Sequence, residues 1–325
     1  MTHTPPSELA TDPLAAFADD IRAGLSEQEQ KRLSPQYFYD EIGSALFDVI
    51  TLLPEYGLTR ADERLLERSA AALAAGTSRP LLVAELGSGS GRKTHRLLGA
   101  LAAERPVTYC PIEVSHAALA RCEKELEGVE GVRLQTVEAE YLEGLRRVTR
   151  IRRSSEPVTV LFLGSSVGNF DPAGALDLLR SIREVLLRGD TLLLSTDLVK
   201  PAEQLRLAYD DPAGVTAAFN LNLLARINRE LAANFELSRF RHFSFYNQWA
   251  RRVEMHLRST ARQTVTIRQA ELTVEFERGE TIWTESSYKY EAEDVRKMGE
   301  QAGFRCEAQW IDEEWPFAQT LLATG

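Results

Sequence analysis

The sequence predicts an α/β protein: a doubly wound, mainly parallel sheet, together with a second, α+β domain. Three observations carry this. Between about Leu81 and Leu198, short continuous apolar runs alternate with helical stretches, the pattern of strands covered on both faces. The first run leads into a glycine-rich loop, Glu85-Leu86-Gly87-Ser88-Gly89-Ser90-Gly91, that opens a helix. After Lys200-Pro201 the pattern changes, first to a long helical stretch and then to period-two alternation.

The elements follow in order. Residues 81–86 (LLVAEL) read as a buried strand and 93–103 as the helix after the loop. Residues 107–113 form a second strand, followed by a helix over 117–126, and 132–137 a third strand. Residues 158–163 are the fourth strand, 172–187 a helix and 191–196 the fifth strand. Residues 202–232 are helical throughout, and strands are expected at 253–257, 264–267 and 272–276. A helix over 291–302 leads to strands at 304–311 and 317–323, a hairpin suited to the edge of the parallel sheet. The segment before Arg60 fits neither a strand nor a long helix. The expected division is therefore 61–200 plus 286–325 for the sheet domain, and 1–60 plus 201–285 for the second.

Composition narrows the function classes. The chain has 325 residues, 44% hydrophobic and 26% charged, with a net charge of −10, so it can bury a core and is not disordered in composition. An acidic chain lacks the basic face a large nucleic-acid footprint needs. Cys110, Cys122 and Cys306 are scattered without a CxxC pair, so neither a disulfide framework nor a metal site is expected. The first 25 residues lack a cationic start and an apolar run, and no stretch reaches the roughly 18 apolar residues of a membrane span. A cytoplasmic protein, compatible with a monomer, is the expectation.

The glycine loop suits a nucleotide-like ligand, because glycines let it approach the backbone and the helix N-terminus favours negative charge. It lacks the third glycine of the dinucleotide fingerprint at the usual offset, and no Gly-Lys-Ser/Thr makes it a phosphate loop. Glu113 ends the second strand about twenty residues on, where a carboxylate can take two ribose hydroxyls. Glu140-Tyr141 follows the third strand, an acid and an aromatic that suit an adenine amino group and ring face. Singly, Glu113 reads equally as a solvated strand-end acid and Glu140 as a helix N-terminal charge. Together with the loop they indicate an S-adenosylmethionine site.

Further motifs are Pro54-Glu55-Tyr56, Phe162-Leu163-Gly164-Ser165-Ser166-Val167-Gly168-Asn169, Thr196-Asp197-Leu198-Val199-Lys200, Ala208-Tyr209-Asp210-Asp211 and Gly214-Val215-Thr216-Ala217-Ala218-Phe219-Asn220. On these the chain, from about Leu33 onward, resembles the histidine-specific Nα-methyltransferases of ergothioneine biosynthesis, which convert L-histidine to its trimethylammonium betaine, hercynine. The resemblance implies a class I, Rossmann-like methyltransferase domain and a substrate-binding domain. It implies cofactor contacts at Glu85, Gly87, Ser88, Gly89, Lys93, Glu113, Glu140 and Tyr141. A member of the family carries aspartate at the positions of Glu113 and Glu140 and phenylalanine at Tyr141, changes that keep the chemistry and lengthen the reach.

The resemblance implies substrate contacts at Tyr39, Tyr56, Asn169, Tyr209, Met255, Glu285 and Ser287, with Asn169 and Tyr39 at the reacting amine. Asn169 stands after a buried strand and a glycine, on the edge where open α/β sheets bind ligands, and its amide offers both donor and acceptor. Tyr39 and Tyr209 can donate phenolic hydrogen bonds to a carboxylate. Glu285 and Ser287 lie two apart in an extended segment, hence on one face, and are expected to read the two imidazole nitrogens beside Tyr56 and Met255. Without the resemblance, the tyrosines read as half-buried aromatics, Met255 as core and Glu285 as a solvated strand residue. Gly57 is a departure, since the family often carries a second aromatic there. His95, His116, His242 and His256 read as helix, surface or opposite-face residues, not as bases. The alternatives are Nα-methylation of another amino acid such as tryptophan, or cofactor binding without turnover. A nucleic-acid methyltransferase is disfavoured by the charge and by Gly164-Ser165-Ser166 after strand four.

Overall fold

In a computed structural model of the chain, residues 12–74, 80–153 and 156–325 are described. The N-terminal part contains α1 (Pro13–Leu25), β1 (Lys31–Arg32), α2 (Glu41–Ile50) and α3 (Gly57–Ala74). Then come β2 (Leu81–Leu86), α4 (His95–Glu104), β3 (Val107–Glu113), α5 (His116–Glu125), β4 (Val132–Leu134), β5 (Val137–Glu138) and α6 (Tyr141–Arg150). β6 (Val158–Phe162), α7 (Pro172–Val185), β7 (Thr191–Asp197), α8 (Ala202–Tyr209) and α9 (Val215–Glu230) follow. The chain ends with β8 (Phe240–Asn247), β9 (Arg252–Ser259), β10 (Gln263–Ile267), β11 (Leu272–Phe276), β12 (Thr281–Tyr288), α10 (Ala292–Gln301), β13 (Phe304–Asp312) and β14 (Phe317–Thr324).

Two compact units are present. The larger, Tyr39–Thr216 with Ser244–Glu254 and Ser286–Gly325, is built on a sheet of order β13-β14-β7-β6-β2-β3-β4, with β5 also pairing β3. β2, β3, β4, β6 and β7 run parallel, while β14 is antiparallel to both β7 and β13. Strand residues alternate between two apolar layers. Leu82, Ala84, Cys110, Val160, Phe162 and Leu192 pack with α6, α7 and α10 through Leu145, Leu179, Ile182 and Val295. Val83, Tyr109, Leu161 and Leu193 pack with α3, α4 and α5 through Leu66, Leu98, Leu101 and Cys122. The chain leaves β2 toward β3 on one side and takes up β6 on the other. The switch point thus lies between β2 and β6, where such sheets form a ligand crevice at the strand C-termini.

The smaller unit is Met1–Phe38, Ala217–Phe243 and Met255–Glu285, of which residues 1–11 lie outside the described residues. It is α+β, with β10 and β11 as an antiparallel hairpin and β1 parallel to β12. Phe235, Phe240 and Phe276 form its aromatic core, with ring centroids 5.5–6.2 Å apart, and Phe38 stacks on Phe219 at 4.5 Å. Arg22 on α1 donates to the Ala270 carbonyl.

Several elements differ from the sequence expectation. The segment before Arg60 holds α1, α2 and the first turn of α3. Their caps are Asp12, which accepts from Leu14, and Asp40, which accepts from Gly43. The helix expected over 202–232 is two helices, because Asp211 turns the chain and accepts from the Val215 and Thr216 N–H groups. The single strand expected at 132–137 is split into β4 and β5, and α6 and β8 were not anticipated. The unit boundaries fall at 38/39 and 216/217 rather than 60/61 and 200/201. The physical reason is packing: α3 docks on β13 and β14, and Tyr39, Phe47, Tyr56 and Tyr209 form one ring-to-ring series.

Candidate active site

The glycine loop leaves β2 with Gly87, Gly89 and Gly91 all in the left-handed region, at φ +68, +55 and +71. Gly91 is required twice over, since a Cβ there would also lie 2.6 Å from Cys122 Sγ. Glu85 is buried beneath the loop and accepts from Thr94 Oγ1 at 2.7 Å and from the Tyr109 hydroxyl. Burial pushes its carboxyl up to about 7, against the hydrogen bond from Tyr109 and the Lys93 charge. Glu113 accepts from the Gly89 N–H at 3.2 Å and from the Val114 and Ser115 N–H groups, which joins the loop to the end of β3. A Cβ on Gly87 would meet the Tyr141 hydroxyl at 3.2 Å, so that phenol leans over the loop, its ring edge-on to Phe162. Burial, aided by the Glu113 charge, pushes the Tyr141 phenol up to about 12, leaving it a protonated donor. Glu140 is exposed at the N-cap of α6. Ser88 Oγ is out of contact with solvent and has no hydrogen-bond partner among the described residues.

Beneath Lys93 lies a residue that sequence reasoning missed. Asp62, on α3, is fully buried and accepts from Lys93 Nζ at 2.8 Å, Gly164 N at 2.9 Å, Ser195 Oγ at 2.7 Å and Gln319 Nε2 at 2.8 Å. One carboxylate thereby joins Lys93, after the glycine loop, to the turn after β6, to β7 and to β14. No local signal marks it, because its partners come from four distant segments.

The turn after β6 carries Asn169. Gly164 and Ser165 are both left-handed, and Ser165 pays that strain at φ +61 without being glycine. Its Oγ accepts from Asp197 N at 2.8 Å. Asn169 closes the short helical turn Ser166–Asn169 and is half-buried. Among the described residues its side-chain amide makes no hydrogen bond. Gly168 packs against strand β12, where a Cβ would lie 2.9 Å from the Tyr288 carbonyl oxygen.

Next to this turn, in the same unit, is a buried ionic cluster. Asp197 accepts from Lys200 Nζ and from Trp315 Nε1 at 3.0 Å, and lies 2.9 Å from Lys289 Nζ. Burial would raise its carboxyl, but Lys289 and Lys200 hold it below the usual range. Burial brings Lys200 down to about 8 despite Asp197. Lys289 donates to the Tyr209 hydroxyl at 2.8 Å and to Ser287 Oγ at 2.8 Å, and those two oxygens are 2.8 Å apart.

Of the residues singled out for substrate, Tyr39 and Tyr56 meet through Phe47 at 5.6 and 6.4 Å, and Tyr56 meets Tyr209 directly at 6.1 Å, all edge to face. Phe47 was not foreseen. Gly57 has a local cause: a Cβ there would stand 2.2 Å from Trp315 Cε3, so the indole occupies that space. Met255 and Glu285 belong to the smaller unit. Met255 is buried on β9 and its carbonyl accepts from Thr284 Oγ1. Glu285 is half-buried on β12, its carbonyl accepting from Trp283 Nε1 at 2.9 Å. His256 is buried and stacked on Trp283, His242 contacts Asn220, and His116 pairs with Glu138 at the surface. Cys110 and Cys122 are buried thiols that burial pushes up to about 12, and such thiols are inert.

Comparison with known proteins identifies the arrangement. The model of a family described as histidine-specific methyltransferase, SAM-dependent, matches residues 17–324. The chain is 40% identical over 325 aligned residues to the histidine N-alpha-methyltransferase of Mycolicibacterium smegmatis, with 99% of each chain covered. It is 39% identical over 310 residues to the histidine N-alpha-methyltransferase of Mycobacterium tuberculosis, with 95% of each covered. It is 32% identical over 292 residues to ergothioneine biosynthesis protein 1 of Schizosaccharomyces pombe, spanning 86% of this chain and 37% of that protein. The loop, the strand-end acid and the near full-length match agree: the chain belongs to the S-adenosylmethionine-dependent, histidine-specific methyltransferases.

Proposed function

We propose that this chain transfers three methyl groups in succession from S-adenosylmethionine to the α-amine of L-histidine, giving hercynine for ergothioneine synthesis. The observation that carries this reading is the turn at 164–169. Lys93 of the cofactor loop approaches it at Gly164, and the Tyr288 backbone beside Tyr209, Ser287 and Lys289 approaches it at Gly168. A donor loop and a hydroxyl-rich acceptor cluster thus flank one strand end.

The residues present fit the cofactor. The buried Ser88 hydroxyl lacks a partner among the described residues, and the left-handed glycines leave the backbone open to close approach. We assign Gly87, Ser88 and Gly89 to the amino-acid end of the cofactor, Glu113 to its ribose hydroxyls, and Glu140 and Tyr141 to its adenine. Glu85 and Lys93 hold the loop from beneath. When bound, S-adenosylmethionine supplies an electrophilic methyl group on a sulfonium.

For the substrate, Asn169 and Tyr39 orient the α-amine, and Tyr209 donates to the carboxylate. Glu285 and Ser287 read the imidazole nitrogens, with Tyr56 and Met255 against the ring. In-line displacement needs position above all, and the amine enters in its neutral form. Each transfer turns the neutral amine into an alkylammonium; after the first two transfers it releases a proton to solvent before the next attack, and the third leaves a quaternary cation that tyrosine faces can accept. The test is a screen of the twenty amino acids with the cofactor, read by mass. L-histidine should gain three methyl groups; no gain with any amino acid would overturn the reading, and a gain only with tryptophan would replace the substrate. In a histidine-specific site, Glu285→Ala weakens histidine far more than tryptophan, and equal loss would remove Glu285 from imidazole recognition.

A further inference from the structure

We propose that Ser165 is a positioning residue for methyl transfer, its hydroxyl pinning the turn that carries Asn169 to the end of β7. This rests on the reading of Asn169 as a contact of the reacting amine. Ser165 follows Gly164, and the two stand in the left-handed region at φ +61 and +70 respectively. Glycine takes that conformation freely, and the other residues enriched there are asparagine, aspartate and histidine. The backbone by itself therefore does not call for serine. Ser165 is buried, and what it adds over glycine is a hydroxyl whose Oγ accepts from Asp197 N at 2.8 Å.

The strand register gives that bond its place. β6 pairs with β7 as far as Phe162 and Leu194, and carrying the register on would set Ser165 opposite Asp197, where the chain has already left the sheet. Asp197 is fully buried, and an unmatched N–H there would be costly; the serine hydroxyl takes the place of the absent strand carbonyl. The carbonyl of the same residue accepts from Gly168 N at 2.8 Å. Ser165 thus ties β7 to the residue directly before Asn169. Upstream, Gly164 N donates to Asp62 Oδ2 at 2.9 Å, and downstream a Cβ on Gly168 would lie 2.9 Å from the Tyr288 carbonyl oxygen. A strained residue persists where its surroundings fix it from several sides, as these do. Asn169 is half-buried, and its own amide makes no hydrogen bond among the described residues. The turn, not the amide, therefore sets where that amide points, and in-line transfer is sensitive to such placement.

The test separates activity from stability in the full chain. Steady-state kcat and KM for L-histidine, calorimetric affinity for S-adenosylhomocysteine and the thermal midpoint are measured for the native protein, Ser165→Gly, Ser165→Ala, Asn169→Ala and Ser165→Gly/Asn169→Ala. Both Ser165 variants should lower kcat about 10-fold or more, with KM and S-adenosylhomocysteine affinity within about 3-fold of native. Stability should divide them: Ser165→Gly relieves the left-handed strain and Ser165→Ala keeps it, so the glycine variant has the higher thermal midpoint. In the Asn169→Ala background, Ser165→Gly should lower kcat by less than about 3-fold more. Native kcat in Ser165→Gly, or full additivity with Asn169→Ala, would overturn the proposal. An Asn169→Ala protein as active as the native one would instead remove Asn169 from the reaction, and the proposal with it. Should Ser165→Ala not fold, Ser165→Gly decides alone, since glycine accepts this backbone conformation.

Discussion

At the scale of single residues, the site is held by side chains whose partners are far away in sequence. Asp62 is the clearest, a buried carboxylate with four donors from Lys93, Gly164, Ser195 and Gln319. Asp62→Ala leaves those donors unsatisfied and should cost about 3–5 kcal/mol in denaturant unfolding; a loss below about 1 kcal/mol would show that the carboxylate is not the joint it resembles. Gly57→Ala forces a methyl into the Trp315 ring and should cost about 1–3 kcal/mol, measured the same way, with near-neutral behaviour counting against the fit. Asn169→Ala removes an amide that the described residues leave unused. It should lower kcat/KM for histidine about 10- to 100-fold with little change in thermal midpoint, and equal activity would remove Asn169 from the reaction. Asn169 was legible because a polar residue following a buried strand and a glycine is unusual. Asp62, Phe47 and Lys289 were not, since nothing local distinguishes them from surface charges or core aromatics, and Asp197 stood in the motif Thr196–Lys200 without any sign of its partners.

At the scale of elements, the loop from β2 into α4 joins legible chemistry to hidden packing. Its glycines announce a close ligand approach, yet the reason for Gly91 includes Cys122 on α5, which no reading of the loop alone supplies. Gly91→Ala should both destabilise the fold and weaken cofactor binding, and adding Cys122→Ala should recover part of the stability by removing the 2.6 Å clash while the φ strain remains. Titration and unfolding of the three variants check this; no recovery in the double variant would mean that backbone strain alone decides the position. The strands β2, β3, β6 and β7 were readable because a fully buried strand is a continuous apolar run. The helices before Arg60 were not, for α2 leaves Ile42 and Val49 exposed, and Leu52 just after it as well, which blurs the apolar stripe. The break between α8 and α9 depends on Asp211 capping the second helix, a hydrogen bond that periodicity does not register.

At the scale of the whole molecule, the buried ionisable groups couple stability to pH. The folded chain holds a proton on Glu85 up to about pH 7, whereas an ordinary glutamate releases it near 4.5. Between those values the folded state binds more protons than the unfolded, so this contribution is complete below pH 4.5 and is lost as pH rises through 7. The slope reaches at most ~1.4 kcal/mol per pH unit. Glu85→Gln should flatten the urea stability profile between about pH 5 and 7 relative to the native protein, and parallel profiles would locate the titration elsewhere. The sequence by itself determined the class of fold, the glycine loop after the first buried strand and the family, because apolar runs, glycines and motifs are local and survive in one dimension. Only the tertiary structure decided where the compact units divide, which carboxylates are buried, and that Tyr209, Ser287, Lys289 and Asp197 form one cluster. Burial raises the cost of an unpaired charge, so each buried ionisable group is defined by partners that the fold, not the neighbouring sequence, brings within reach.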